Sequence, residues 1–217
     1  MDFEQARINM IEQQIRPWEV LDQHTLDLIA EIHREDFIPD TYKSLSLADT
    51  GIPLMHGQVT MTPKVEARLM QSLEIQKGDK ILEIGTGCGY LTALLASAGD
   101  SVLSVDIFPE FIKQAGPKFD QHGLTNIELK TLDALDGWQP QDRYDAIAVT
   151  GSVPMLGNHF HRMLKNNGRL FIIVGQAPVM EARLITRIDE RQWSCEVLFE
   201  TVLPALIGAD GQKRFKF

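Results

Sequence analysis

The stretch from Lys80 to Ala98 constrains this chain more than any other. Ile81, Leu82 and Ile84 form a short apolar run of the kind that suits a parallel strand buried on both faces. Gly85, Gly87 and Gly89 follow at alternate positions, which lets the backbone turn tightly and bring its N–H groups close to a ligand. From Tyr90 the apolar helical pattern resumes. Strand, glycine turn and helix in this order place a ligand over the carboxyl end of the strand.

The spacing excludes a dinucleotide. A G-x-G-x-x-G fingerprint needs glycine three residues after Gly87 or Gly89, and those positions are Tyr90 and Thr92. Glu83-x-Gly85-x-Gly87-x-Gly89 instead resembles motif I of the S-adenosylmethionine-dependent methyltransferases. An acid at Glu83 suits a cationic cofactor, whereas a phosphate favours a lysine or a bare helix N-terminus. A second strand over residues 101–106 ends in Asp106, about 20 residues beyond the glycines, the offset of a ribose-hydroxyl acceptor. An ordinary turn with Asp106 capping a helix before Pro109 would use the same residues. The two features together at this spacing favour the cofactor.

At 217 residues the chain suffices for one α/β domain with an extension. We expect residues 1–62 to supply N-terminal helices and a substrate-side loop, and 63–217 the cofactor-binding core. A net charge of −9 with no Lys/Arg run weighs against a nucleic-acid partner. Cys88 and Cys195 are the two cysteines, and a disulfide at Cys88 would obstruct the glycine turn, so a reducing, cytoplasmic setting is expected, with no metal site. No apolar run approaches the ~18 residues of a membrane span. The oligomeric state is left open.

Phe3, Ile8, Met10, Ile11 and Ile15 are spaced as an amphipathic helix ending before Pro17, and Asp22 is placed to cap a second. From Phe37 to Pro63 periodicity is lost. Loops longer than about 12 to 15 residues in compact domains are often functional, and this one is the candidate substrate side. Pro63 opens a further helix with Val65, Leu69, Met70 and Leu73 on one face.

Asp36-Phe-Ile-Pro39, Tyr42, Ile52-Pro-Leu-Met-His-Gly-Gln58, Pro63 and Glu83-Ile-Gly-Thr-Gly-Cys-Gly-Tyr90, in that order, resemble the protein-L-isoaspartate O-methyltransferases. The resemblance continues through residues 144–150, 164–170, Val174-Gly175 and 202–206. It implies S-adenosyl-L-methionine as cofactor, held by Glu83, Gly85, Thr86, Gly87, Gly89, Tyr90, Asp106, Ile107, Asp133, Ala134, Thr150 and Val59. It also implies a protein or peptide acceptor, isoaspartyl-containing, or a small-molecule carboxylate. The sequence departs from the family at one position: Met61 stands where the family has its active-site serine, with Thr60 and Thr62 on either side. Met61→Ser is therefore expected to raise isoaspartyl methylation or leave it unchanged. Thr60, Met61 and His56 are the candidate catalytic positions.

Residues 126–131, 145–149 and 168–174 read as three further strands, and 182–188 and 193–199, which alternate, as a closing antiparallel pair, with residues 150–154 a loop above the sheet. The expected fold is α/β, a doubly wound, mostly parallel seven-stranded sheet of the S-adenosylmethionine-dependent methyltransferase type with an N-terminal helical extension. His159 and His161 read as helix-surface residues, the three tryptophans as packing groups, and the charged tail at 213–216 as surface. The leading function is methyl transfer to a carboxylate, which is ionised at neutral pH and needs no general base. His56 is available as a weak base for another acceptor. Two other readings stay open: the same fold with a different acceptor, and a cofactor-binding regulator without catalysis.

Overall fold

The computed structural model describes residues 2–209. Seven strands form one sheet in the order β3-β2-β1-β4-β5-β6-β7. These are β1 (Lys80–Ile84), β2 (Ser101–Asp106), β3 (Ile127–Thr131), β4 (Tyr144–Val153), β5 (Leu164–Gln176), β6 (Val179–Arg187) and β7 (Trp193–Thr201). The first five are parallel, and β6 and β7 close the sheet antiparallel. The order reverses between β1 and β4, the point at which doubly wound sheets open a ligand crevice.

Period-2 alternation divides the apolar residues between two faces. Ile81, Ala146, Ala148, Phe171 and Ile173 point to one, where α3 (Pro63–Leu73), α4 (Tyr90–Ala98) and α5 (Pro109–Gln121) pack together with the N-terminal helices. Leu82, Ile84, Ile147, Val149, Leu170 and Ile172 point to the other. Among the described residues that face carries no full helix. Ala134, Leu135 and Trp138 cover it together with a short 3-10 turn, Phe160–Met163.

The N-terminal segment joins the first core instead of standing apart. Met10 and Ile15 in the opening helical run, and Leu26, Leu28 and Ile29 of α2 (Gln23–Glu31), belong to the same apolar cluster as Leu94 and Phe171. Asp22 accepts the Thr25 amide at 2.7 Å and so caps α2 as expected. The first helix does not stop before Pro17. It passes from α1 (Phe3–Met10) through a π-helical turn, Ile11–Ile15, into a 3-10 turn, Arg16–Trp18, where the proline stands in the first turn and its missing N–H leaves no bond unmade.

Three further expectations are corrected. Residues 150–153 extend β4 instead of forming a loop, because Ser152 and Val153 pair with Ile173 and Val174. His161 lies at 8% exposure under Trp193 rather than on a helix surface, and burial lowers its pKa. His159 is held by the Ala134 carbonyl at 2.7 Å. The expectation for the tail at 213–216 lies outside the described residues.

Candidate functional site

A cleft of about 730 Å³, its open mouth included, lies over the carboxyl ends of β1, β2 and β4. Its geometry starts with Gly85, which follows β1 with φ at +100°. A Cβ there would sit 2.1 Å from the Thr150 hydroxyl, so only glycine fits. That hydroxyl lies 2.9 Å from the Ile84 carbonyl and 2.8 Å from the Gly85 carbonyl and ties the end of β4 to the turn.

Gly87, also left-handed at φ +52°, donates its amide to Asp106 Oδ2 at 3.0 Å, while Phe108 donates to Oδ1 at 2.9 Å. Both Asp106 oxygens are thus oriented by backbone, and the carboxylate lines the cleft. Burial pushes its pKa up, opposed by the Gly87 and Phe108 amides. Farther along, Asp133 lines the cleft with its carboxylate fixed by the Leu135 amide at 2.9 Å.

A smaller recess, about 340 Å³, shares Leu54, Val59, Gly85, Gly87 and Thr150 with the cleft and continues under the substrate-side loop. Glu83 lines it and has no exposure. Its Oε2 accepts from the hydroxyls of Thr92 and Ser104, and Thr86 lies 2.6 Å from Ser104 Oγ. Oε1 has no partner. Burial pushes the Glu83 carboxyl up to about 8. An acid held in this way can take a donor or a cation from the recess.

Thr60, Met61 and Glu66 form the loop side of the recess. Thr60 Oγ1 accepts from Arg34 Nη2 at 3.1 Å and from the Ile52 amide at 3.0 Å. Met61 is 5% exposed, with its side chain in the first core, while its carbonyl accepts from Arg34 at 2.9 Å. Arg34 in turn pairs with Glu66 at 2.9 Å, both buried.

Of the residues expected at a cofactor, Val59, Gly85, Gly87, Asp106, Ile107, Asp133, Ala134 and Thr150 meet in the cleft, while Glu83 and Thr86 reach only the recess. Gly89 and Tyr90 line neither. The space above Gly89 is filled by Phe119, 3.0 Å from where a Cβ would stand. The Tyr90 ring turns inward against Phe37, at 5.8 Å between centroids, and under the Arg34 guanidinium. His56 also stands apart from both cavities. It stacks on Phe108 at 4.1 Å and meets Glu110 at 3.2 Å.

Sequence reasoning gave no site role to Phe108, Phe111, Leu132, Leu135 or residues 203–207, all of which line the cleft. The 203–207 segment is held by one polar residue near the end of β4. Ser152 donates its amide to the Pro204 carbonyl at 2.9 Å and its hydroxyl to the Leu203 carbonyl at 2.8 Å, and accepts the Leu206 amide at 2.8 Å. The serine two residues beyond Thr150, at the apolar end of β4, is the signal for it.

The family model described as protein-L-isoaspartate(D-aspartate) O-methyltransferase matches residues 5–206. A protein-L-isoaspartate O-methyltransferase of Brucella anthropi is 30% identical over 208 residues, 95% of each chain. One of Syntrophotalea carbinolica is 30% identical over 211 residues, 97% of each. Among solved structures, a putative enzyme of this name from Plasmodium falciparum, in complex with S-adenosyl-L-homocysteine, has a TM-score of 0.76 at 17% identity, covering 95% of this chain and 98% of that one. With its sheet order, its glycine turn and a family match over nearly its whole length, the chain belongs to the protein-L-isoaspartate(D-aspartate) O-methyltransferase family.

Proposed function

We propose that this protein is an S-adenosylmethionine-dependent methyltransferase acting on protein carboxylates, with isoaspartyl residues as the acceptor. The observation that carries the reading is the junction of Gly87 with Asp106, where a left-handed glycine turn and an oriented carboxylate meet at the reversal of strand order. The residues fit the cofactor. Asp106 offers its remaining lone pairs to ribose hydroxyls, Asp133 and Ala134 border the far end of the cleft, and the orphaned Oε1 of Glu83 suits an amino group in the recess.

When bound, the cofactor supplies a methyl group already activated by a sulfonium, so the chain's task is alignment, with reacting atoms about 3 to 3.5 Å apart, and exclusion of water. Leu54, Val59 and Leu203 to Ile207 give the cleft apolar walls for that purpose. An ionised carboxylate needs no base, in keeping with His56 lying outside the cavities. The apolar cluster shared by the N-terminal helices and the sheet supports treating 1–62 and 63–217 as one folding unit. We also assign the protein to the cytoplasm, on the strength of its unpaired Cys88 and Cys195. No helix among the described residues is long and apolar enough to cross a membrane.

A second reading, a different acceptor, is favoured by Met61 and by the absence, among the described residues, of any lysine or arginine lining the cleft. Transfer of labelled methyl to an isoaspartyl peptide, with its aspartyl isomer as control, tests the choice. Labelling of the isoaspartyl peptide alone supports the first reading, and labelling of neither supports the second.

A further inference from the structure

We propose that Arg34 and Glu66 are positioning residues that make the Thr60 hydroxyl a fixed donor for a carboxylate oxygen in the recess. The proposal rests on the methyltransferase reading above. A hydroxyl has two lone pairs and one hydrogen. At Thr60 both lone pairs are taken, one by Arg34 Nη2 at 3.1 Å and the other by the Ile52 amide at 3.0 Å. The hydrogen must therefore point elsewhere, and among the described residues it has no acceptor. Thr60 is 7% exposed and lines the recess shared with Gly85 and Gly87.

Arg34 cannot turn away from this duty. Its Nε is held by Glu66 Oε2 at 2.9 Å, its Nη1 by the Ser46 carbonyl at 2.6 Å, and its Nη2 also by the Met61 carbonyl at 2.9 Å. The guanidinium is 1% exposed, so its charge acts on the Thr60 oxygen with little screening and polarises the O–H. The partner must be an acceptor, and a charged one makes the stronger bond to the polarised O–H. Glu66, already bound to Arg34, is not free to be that acceptor. A carboxylate can come from two sources, the amino-acid end of the cofactor or the acceptor side chain.

The full chain is compared with Thr60→Val, Thr60→Ser and the pair Arg34→Met with Glu66→Leu, since replacing a buried ion pair by apolar residues tends to preserve the fold. Calorimetry measures S-adenosylhomocysteine and methylthioadenosine, which lacks the amino-acid end; turnover on an isoaspartyl peptide gives kcat and KM. If the partner is the cofactor's carboxylate, Thr60→Val weakens S-adenosylhomocysteine about tenfold and leaves methylthioadenosine unchanged, the scale of one hydrogen bond to a charged group. If it is the acceptor's, kcat/KM falls about as far with S-adenosylhomocysteine affinity intact. In either case Thr60→Ser restores most of the loss and the paired variant shares it. Should the paired variant not fold, Arg34→Lys, which keeps the charge and loses the fork, takes its place. No change in either quantity in Thr60→Val, an equal loss for methylthioadenosine, or wild-type behaviour in the paired variant overturns the proposal. A wild-type protein that binds S-adenosylhomocysteine but leaves the peptide unlabelled fails the acceptor reading alone, and the calorimetric comparison then decides. No binding of S-adenosylhomocysteine fails both.

Discussion

Asp106 accepts the Gly87 amide at 3.0 Å, so the acid that ends β2 is built into the glycine turn that ends β1. A residue expected to hold a ligand also holds the loop that faces the ligand. Asp106→Ala should weaken cofactor binding by about 1.5 to 3 kcal/mol, the scale of a hydrogen bond to a charged group. It should also lower the melting temperature without ligand, because the Gly87 and Phe108 amides lose their acceptor. Calorimetry and a thermal melt read the two effects separately, and an unaltered melt would show that water replaces the carboxylate.

Gly85→Ala should be more damaging than an ordinary turn substitution. The added methyl meets Thr150 Oγ1 at 2.1 Å on a backbone with φ +100°. Strain of about 1 to 3 kcal/mol from the backbone alone, with the clash added, should appear as a clear loss of melting temperature. Pairing it with Thr150→Ala relieves the clash and not the φ, so rescue is expected to be partial.

Glu83 makes stability depend on pH. Its folded pKa, about 8, lies above the ordinary 4.5, so the native state binds the extra proton between those values. The contribution is therefore whole below pH 4.5 and is lost as pH rises through 8. Melting curves from pH 5 to 8.5 without ligand should show wild type losing stability relative to Glu83→Gln. Parallel curves would mean that Glu83 is ionised in the folded protein.

His56→Ala should leave kcat within about threefold of wild type, well short of the loss expected on removing a general base. The ring stacks on Phe108 and meets Glu110 outside both cavities. A hundredfold fall in single-turnover rate would place it in the catalytic set.

Met61→Ser should lower isoaspartyl methylation, contrary to the sequence-based expectation. The side chain is 5% exposed within the core, so a serine leaves a void and a hydroxyl in apolar surroundings, costing about 2 to 4 kcal/mol. A thermal melt beside the peptide assay checks both parts.

The strands were legible because each shows either an apolar run or an alternation of apolar and polar residues, and the glycine turn because its spacing excludes the commoner fingerprint. Helix α5 received no range from the sequence; Gly116 and Pro117 lie inside it. Tyr90 belongs to the motif in sequence, but its direction is decided by Phe37, 53 residues earlier, and by Arg34. Residues 203–207 reach the cleft through hydrogen bonds to Ser152, a pairing over 50 residues that no local pattern records. Spacing along the chain thus reports what a local turn can do, and long-range packing determines which side chains it presents.

The hold of Ser152 on the segment after β7 also sets an order of assembly. One wall of the cleft is made by residues that follow every strand, joined to β4 by a single parallel bridge between Ser152 and Ala205. During synthesis the sheet can form completely while that wall is still being made, and the contact that closes it spans a long loop. A nascent chain ending at β7 would carry the glycine turn and both acids, yet have no enclosed place to use them.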